Sequence, residues 1–305
     1  MAKHTYILIM AGGEGTRFQP LSTPARPKQF INIVGTKSLI RQTFERVASL
    51  GVENNFDNFY VATNVRYVSL VKKELPEIPF ENIIGEPVKK NTAPCIGFVA
   101  HLIAAKDPEA VMVCLPSDHV ILKPGVFLKI LDSAVDVAVQ HKMLVTLGIA
   151  PTRPATEYGY IERGGAVGGN FKHGVYVVKK FTEKPDEELA TGYIASGNYS
   201  WNSGMFVWGA ATILDEMSRH APQIANEVSR LRRHVEMPML VNFFDNVPNI
   251  SIDYGVMEKS RNTAVIPCEF AWSDIGSWKG LKEIYDSHAV EITPEVKKIM
   301  EEQLA

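Results

Sequence analysis

Hydrophobic residues occur in short continuous runs that alternate with helical stripes through the first half of the chain. Residues 6–10, 59–63 and 111–115 are continuous apolar runs, which is typical of strands buried on both faces. Between them, residues 38–50 and 93–105 carry apolar side chains at helical spacing. This alternation of strand and helix predicts an α/β fold with parallel strands.

The pattern changes in the second half of the chain. Residues 151–180 are rich in β-forming residues and contain a glycine-rich tip at 164–169, which predicts a subdomain of antiparallel strands inserted beside the sheet. Residues 250–260 begin with alternating apolar and polar positions, which predicts a strand that leads into a short helix. Residues 279–305 are predicted to be helical and are rich in charged residues.

Composition narrows the class of protein. A chain of 305 residues with 46% apolar content is long enough for one large α/β domain, and its net charge of -2 argues against a general binder of nucleic acid or membrane surfaces. The amino terminus lacks the pattern of a cleavable signal peptide, so we expect a cytoplasmic protein. Cys95, Cys114 and Cys268 are scattered without a CxxC pair, which suits a reducing compartment and gives no zinc site.

A glycine-rich, cationic loop follows the first apolar run. Gly12, Gly13 and Gly15 allow a close approach of the backbone to a ligand, and successive exposed N–H groups can form an anion-binding concavity. Arg17 and Lys28 add positive charge, so the loop is a candidate phosphate site. It is not a Walker A loop, since no GK[ST] closes it, and it fits the dinucleotide fingerprint poorly. The alternative is a glycine turn with solvated charges.

The complete string MAGGEGTRFQPLSTPARPKQF resembles the signature of the sugar-nucleotide pyrophosphorylases, in particular the mannose-1-phosphate guanylyltransferases. The resemblance recurs along the chain in IIGEPVKKNTAP, LPSDH, TEYGY and FTEKP. It implies a Rossmann-like nucleotide-diphospho-sugar transferase fold, with a mixed, mostly parallel central sheet flanked by helices. We expect a nucleotidyltransferase domain over residues 1–280, with its β-rich sugar-binding part at 151–210, and a helical tail over 281–305.

Two carboxylates that are distant in sequence are the candidate metal ligands. Asp118 follows the apolar run 111–115, and in parallel sheets ligands bind outside the carboxyl ends of the strands. Mg²⁺ prefers oxygen ligands and commonly takes one or two carboxylates together with substrate phosphates. The resemblance implies that Asp118 and Asp274 share one Mg²⁺ ion. The alternative for Asp118 is simple helix capping.

The nucleotide contacts implied by the resemblance include one residue with a chemical rationale of its own. Glu86 carries an acceptor-only carboxylate, and the Watson–Crick edge of guanine offers two adjacent donors, N1–H and N2–H. The alternative is an ordinary loop carboxylate. The predicted nucleotide-binding residues are Ala11, Gly12, Gly13, Gly15, Thr16, Arg17, Glu86, Asn91, Thr92 and Ser117.

The resemblance places the sugar phosphate against the β-rich part of the chain. Backbone groups at Gly159 would contact sugar hydroxyls, Glu183 could accept hydrogen bonds from two neighbouring hydroxyls, and Lys184 could contact the phosphate. The predicted sugar-phosphate residues are Tyr158, Gly159, Glu183, Lys184 and Asn202.

The expected reaction is transfer of GMP from GTP to α-D-mannose 1-phosphate, giving GDP-mannose and pyrophosphate by metal-assisted in-line attack. Arg17, Lys28, Asp118 and Asp274 are the predicted catalytic residues. Nucleic acid and membranes are not expected partners, and a homodimer stays open. Three alternatives remain: another pair of nucleoside triphosphate and sugar phosphate, a catalytically silent nucleotide-sensing homologue, and a redox enzyme on a dinucleotide fold.

Overall fold

The structure of the protein is a computed structural model, which describes residues 4–50, 56–232, 235–288 and 290–305. The strands in this part of the chain are β1 (Thr5–Ala11), β2 (Phe59–Asn64), β3 (Ile83–Glu86), β4 (Val111–Pro116), β5 (Val120–Ile121), β6 (Leu144–Ile149), β7 (Tyr160–Ala166), β8 (Tyr176–Thr182), β9 (Tyr199–Gly209), β10 (Thr263–Cys268) and β11 (Trp272–Ser273). The α-helices are α1 (Leu39–Val47), α2 (Val68–Glu74), α3 (Thr92–Lys106), α4 (Pro124–His141), α5 (Glu187–Ser196), α6 (Ala210–His220), α7 (Pro222–Ser229), α8 (Met237–Asn246), α9 (Trp278–His288) and α10 (Pro294–Leu304).

Backbone contacts divide the chain into two compact units. Unit 1 comprises Met1–Leu8, Glu86–Leu115 and Phe127–Glu269, and unit 2 comprises Ile9–Gly85, Pro116–Val126 and Phe270–Ala305. None of the helices in the described residues is both long enough and apolar enough to span a membrane.

Unit 1 is built on a mixed sheet whose strands lie in the order β4, β9, β6, β10, β8 and β7. The α/β class and the mixed sheet are confirmed, and the antiparallel β7–β8 hairpin confirms the strands predicted within 151–180. β10 pairs in parallel with β6, whereas β9 runs antiparallel to both β4 and β6. β9 therefore runs between strands of the opposite direction, which makes the sheet mixed. β7 also pairs with β9, so five strands close into a ring.

One predicted strand in unit 1 is wrong. The alternating residues at the start of 250–260 do not form a strand, and a π-helical turn occupies Asp253–Met257. The backbone of Ile250 instead bonds to Lys90 and Ala93, which lie just before and at the start of α3. The backbone at the start of this segment therefore bonds to the start of α3 rather than to a neighbouring strand.

Unit 2 has its own apolar core, to which both C-terminal helices contribute. Phe18 from the loop after β1 packs on Trp278 at the start of α9, with 4.8 Å between ring centroids. Leu281 of α9 and Met300 of α10 belong to the same buried cluster. The charged helical segment predicted at 279–305 thus forms two amphipathic helices whose apolar faces are buried in unit 2.

Candidate active site

A two-stranded ribbon in unit 2 explains why Asp118 and Asp274 lie together. β5 and β11 pair antiparallel, with Val120 opposite Ser273. Asp118 lies just before β5 and Asp274 follows directly after β11, so both residues lie at the same end of the ribbon. The pairing brings the two carboxylate residues together although they are far apart in the sequence.

The ammonium group of Lys28 lies between these two acidic residues. Its Nζ is 3.0 Å from Oδ2 of Asp118 and donates to the main-chain carbonyl of Asp274 at 2.5 Å. The Lys28 side chain is 6% exposed, whereas that of Asp118 is 33% exposed. Burial alone would raise the pKa of Asp118, but the charge of Lys28, the neighbouring His119 and hydrogen bonds to the carboxylate together hold that pKa below its ordinary value. Asp118 is therefore ionised at neutral pH.

Gly15 of the glycine loop lies directly against Lys28. Its backbone has a φ of +62°, which disfavours a side chain, and an added Cβ would lie 2.7 Å from the backbone nitrogen of Lys28. Both conformation and space therefore require glycine here. The loop and the lysine are in contact without an intervening side chain.

Arg17, on the exposed side of the glycine loop, lies close to the carboxylate of Asp274. A Cβ placed on Gly276 would lie 2.8 Å from Oδ2 of Asp274 and 3.3 Å from a terminal nitrogen of Arg17, so both side chains line the backbone of Gly276. Oδ1 of Asp274 accepts from the N–H of Gly276 at 3.0 Å. Between them, Ile275 adopts a φ of +42°, which is rare for a β-branched residue. The Asp274 carboxylate therefore folds over this turn, on the same side of Gly276 as Arg17.

Polar contacts from α1 and β11 fix the turn that carries Asp118. Thr43 Oγ1 donates to the carbonyl of Ser117 at 3.3 Å, and Arg46 donates to the carbonyl of His119 at 3.2 Å. Burial lowers the pKa of the Arg46 guanidinium to about 10. Trp272 Nε1 donates to Nδ1 of His119 at 3.2 Å, and burial lowers the pKa of this imidazole, which favours its neutral form. His119 therefore contacts β11 and links the turn that carries Asp118 to the second strand of the ribbon.

A second constellation lies within unit 1. A Cβ added to Gly159 would collide with Oε2 of Glu183 and lie 3.3 Å from Cβ of Asn202. The carbonyl of Gly159 accepts from the N–H of Asn202 at 2.7 Å, and Asn202 Nδ2 donates to Asp253 at 2.8 Å. Lys184 Nζ is 3.3 Å from Glu183 Oε1, and the lysine side chain is 59% exposed. Tyr158 packs beside this group on Trp201, with 5.0 Å between ring centroids.

One oxygen in this group is buried without a partner. Oε2 of Glu183 has no hydrogen-bond donor among the described residues. Burial and the neighbouring Asp253 raise the pKa of Glu183, and burial raises that of Asp253. An orphaned buried acceptor is costly in the free protein and is suited to a ligand hydroxyl that donates to it.

Glu86 and the segment at the start of α3 also lie in unit 1. Glu86 ends β3 and is 7% exposed, and burial raises its pKa to about 8. Asn91 caps α3 by accepting from the N–H of Thr92 at 2.9 Å, and Thr92 Oγ1 accepts from the N–H of Ile252 at 2.8 Å. The side chains of Asn91 and Thr92 thus also have structural partners.

The structure therefore sorts the predicted site residues into two groups. Unit 2 brings together Gly15, Arg17, Lys28, Asp118 and Asp274, with Ala11, Gly12, Gly13 and Thr16 in the same loop and Ser117 buried behind Asp118. Unit 1 brings together Tyr158, Gly159, Glu183, Lys184 and Asn202, and holds Glu86, Asn91 and Thr92.

Sequence reasoning missed a polar side chain behind the glycine loop. Gln29 is 2% exposed, and its Nε2 donates to the carbonyls of Ala11 and Gly13 at 2.9 Å each. It lies inside the string that carried the resemblance, and the signal was an amide directly before the apolar residues Phe30 and Ile31. An amide in such a position is often buried because it bonds to backbone.

Unit 2 brings together a glycine loop, two cations and two acidic residues, and this arrangement is chemically suited to binding a polyphosphate. This agrees with the family to which the chain belongs. The model of the nucleotidyl transferase family matches residues 6–289, so the chain is a member of that family.

Known relatives are consistent with this membership and are more specific. The chain is 41% identical over 278 residues to a mannose-1-phosphate guanylyltransferase of Sinorhizobium fredii, covering 88% of this chain and 53% of the relative. It is 40% identical to the mannose-1-phosphate guanylyltransferase RfbM of Salmonella typhimurium, covering 91% of this chain and 58% of that protein. The chain thus spans somewhat more than half the length of these curated relatives.

A solved structure supports the same fold. The crystal structure described as mannose-1-phosphate geranyltransferase from Thermus thermophilus superposes with a TM-score of 0.83 at 33% identity. The match covers 93% of this chain and 80% of that one. The predicted α/β transferase fold is therefore confirmed.

Proposed function

We propose that the protein is a mannose-1-phosphate guanylyltransferase, which transfers GMP from GTP to α-D-mannose 1-phosphate and releases pyrophosphate. The observation that carries this proposal is the contact of Lys28 with both Asp118 and the Asp274 carbonyl beside the glycine loop. This arrangement supports the proposal because a cation and two oxygen-bearing residues lie beside a loop whose N–H groups are suited to binding phosphates. The names of the relatives support the choice of GTP and mannose 1-phosphate.

The reaction needs no enzyme nucleophile. The attacking oxygen belongs to the sugar phosphate and is already anionic at neutral pH, and it forms a bond to the α-phosphorus of GTP while the bond from that phosphorus to the pyrophosphate oxygen breaks. Because two anionic groups must approach, the protein has to position them and neutralise their charge. We assign Lys28 to the α-phosphate and the incoming nucleophile, and Arg17 to the β- and γ-phosphates.

The acidic residues fit a magnesium ion by the chemistry of their donors. Asp118 and Asp274 offer oxygen atoms, which hard cations prefer, and the ammonium of Lys28 already lies 3.0 Å from Asp118, where a positive charge is accommodated. Among the described residues, no group of three or more His, Cys, Asp or Glu side chains could hold a metal alone. The phosphates of the substrate would therefore complete the coordination. When bound, Mg²⁺ would supply charge neutralisation at the phosphates.

Unit 1 supplies groups suited to the base and the sugar. The orphaned Oε2 of Glu183 would accept from a sugar hydroxyl, and the exposed ammonium of Lys184 would contact the sugar phosphate. Glu86 in its ionised form would accept from N1–H and N2–H of guanine. Since burial raises its pKa to about 8, guanine binding has to draw a proton from Glu86 at neutral pH.

The test is pyrophosphate release by the purified protein with Mg²⁺, measured for a panel of nucleoside triphosphates against several sugar 1-phosphates. We expect the highest kcat/KM for GTP with mannose 1-phosphate. A higher value for another pair would replace the substrates while keeping the class of reaction. Binding of GTP without turnover of any pair would instead indicate a nucleotide-sensing homologue.

A further inference from the structure

The main-chain carbonyl groups of the glycine loop are fixed by side chains. Those of Ala11 and Gly13 both accept from the single amide nitrogen of Gln29, at 2.9 Å each, and that of Ala11 also accepts from Thr63 Oγ1 at 2.9 Å. The carbonyl of Gly15 accepts from Ser22 Oγ at 2.6 Å. The carbonyl groups of residues 11, 13 and 15 therefore all accept hydrogen bonds from side chains of the protein.

The N–H groups of the same loop, in contrast to its carbonyl groups, are not bonded to other described residues. Within the part of the chain that the structure describes, the N–H groups of Gly12, Gly13, Glu14 and Gly15 donate to no protein acceptor. Gly13 and Glu14 are exposed, and Gly12 and Gly15 are partly exposed. Successive N–H groups that are accessible and unpaired form a concavity suited to an anion.

One short turn carries both Gln29 and Lys28. Residues Lys28–Phe30 form a single 3₁₀ turn, in which successive side chains project about 120° apart. Lys28 extends to Asp118 and Asp274, and Gln29 extends to the loop carbonyls. The position of the cation and the shape of the loop are thus set by adjacent residues of one rigid segment.

We propose that Gln29 is a positioning residue for triphosphate binding: it holds the Ala11 and Gly13 carbonyls inward so that the N–H groups of residues 12–15 face the phosphates. This inference rests on the proposed function only in taking the ligand to be a triphosphate. The residue must supply two N–H donors from one buried nitrogen. A glutamate offers none when ionised, and a methionine offers none at all.

The chain contains a matched control for this role. Gln42 on α1 also donates through Nε2 to two main-chain carbonyls of unit 2, those of Val34 at 2.6 Å and Lys37 at 2.8 Å. These carbonyls belong to the connection before α1 and not to the glycine loop. Replacing either glutamine removes the same kind of bond, so a general loss of loop order would affect both variants alike.

The experiment compares Gln29→Met and Gln42→Met with the unchanged protein in binding inorganic tripolyphosphate and GTP, by calorimetry without turnover. We expect Gln29→Met to weaken both ligands roughly tenfold or more, and Gln42→Met to leave both within about twofold. In turnover, KM for GTP should rise in Gln29→Met while KM for the sugar phosphate stays within about twofold. Equal effects of the two variants, or normal binding by Gln29→Met, would overturn the inference.

A measurement on the unchanged protein guards against a variant that fails to fold. Amide hydrogen exchange of residues 12–15 should slow when tripolyphosphate saturates the protein, whereas the exchange of residues 34–37 should not change. Unaltered exchange at 12–15 would refute the role of the loop. If the unchanged protein binds no triphosphate, the proposed function fails as well. If it binds triphosphate but Gln29 has no effect, only the present inference fails.

Discussion

The Nζ atom of Lys28 lies 3.0 Å from the carboxylate of Asp118 and bonds to the carbonyl of Asp274, so one buried ammonium joins the two candidate metal ligands. The pair is charge-assisted and only one of its members reaches solvent. Replacement of the lysine therefore affects both the chemistry and the local structure. The two effects can be separated by measurement.

Lys28→Met should lower kcat by about two orders of magnitude, since a lost preorganised electrostatic group costs roughly 3 kcal/mol in the transition state. The free energy of unfolding should fall by about 1–3 kcal/mol, because Asp118 loses a charged partner. Pyrophosphate release and urea unfolding measure the two quantities. Lys37→Met, which breaks the exposed ion pair with Glu45, is the control and should leave turnover unchanged. Near-normal turnover of folded Lys28→Met would exclude the assigned role.

Asp274→Asn should raise the Mg²⁺ concentration required for half-maximal turnover, by roughly tenfold, because one carboxylate of the proposed ligand set loses its charge. Its Oδ1 can still accept from Gly276, so the turn should persist. The measurement is a titration of activity with Mg²⁺. Asp286→Asn, at an exposed pair with Lys282, serves as the control. An unchanged titration for Asp274→Asn would remove this residue from the metal site.

The stability of the protein should depend on pH through Glu86. Its pKa is about 8 in the folded chain and near 4.5 when unfolded, so the folded state retains a proton that the unfolded state has lost between these values. The free energy of unfolding therefore falls as pH rises through this window. Glu86→Gln should become more stable than the unchanged protein with rising pH, by a few kcal/mol at about pH 9.

Urea unfolding at pH 5, 7 and 9 measures this difference. Glu81→Gln, at an exposed carboxylate in the turn before β3, is the matched control for loss of one carboxylate. A stability difference for Glu86→Gln that stays constant across the range would mean that Glu86 titrates normally in the folded protein.

GTP binding should release a proton from Glu86 if this residue contacts guanine. In the free protein Glu86 is mostly protonated at pH 7, and acceptance from N1–H and N2–H requires its ionised form. Calorimetry in buffers of different ionisation enthalpy should therefore show about one more proton released by the unchanged protein than by Glu86→Gln. The variant should also lose discrimination for GTP. Equal proton release with unchanged GTP preference would assign base recognition to other residues.

Gly159→Ala should impair sugar phosphate binding selectively. The added Cβ would occupy the position of Glu183 Oε2 and crowd Asn202, so the carboxylate must move. We expect KM for the sugar phosphate to rise roughly tenfold while KM for GTP changes by less than about twofold. Gly165→Ala in β7 is the control, because its Cβ would meet no atom within 4 Å. Parallel changes in both constants would indicate a general structural effect.

The parts of the fold that could be predicted are those with continuous hydrophobic signals. The apolar runs at 6–10 and 111–115 match the ends of β1 and β4 to within one residue. β9 was not recognised, although it pairs with β4, β6 and β7 in unit 1. Its centre contains Asn202, Ser203 and Gly204, and Gly204 has a φ of +68°, so the strand lacks regular alternation.

The residues of the candidate site were proposed from the sequence, but the contacts that bring them together could not be predicted from it. The residues came from resemblance, because β5 and β11 have two residues each and leave no periodic signal of their pairing. The contact of Lys28 with Asp118 depends on that pairing, so the spacing of these residues in the sequence could not predict it either. At 250–260 a strand was predicted where a π-helical turn forms, because so short a run of alternating residues does not distinguish a strand from a helical segment.

Because β5 and β11 are so short, related proteins should tolerate few changes of chain length within this ribbon. Consecutive residues of a strand project to opposite faces, so a single insertion or deletion between Asp118 and Ile121, or between Trp272 and Asp274, would shift the register that sets Asp118 and Asp274 at the same end of the ribbon. Length variation should therefore accumulate in the connections outside these two segments, and a library of one-residue indels across both arms would reveal a narrow zone in which none is tolerated.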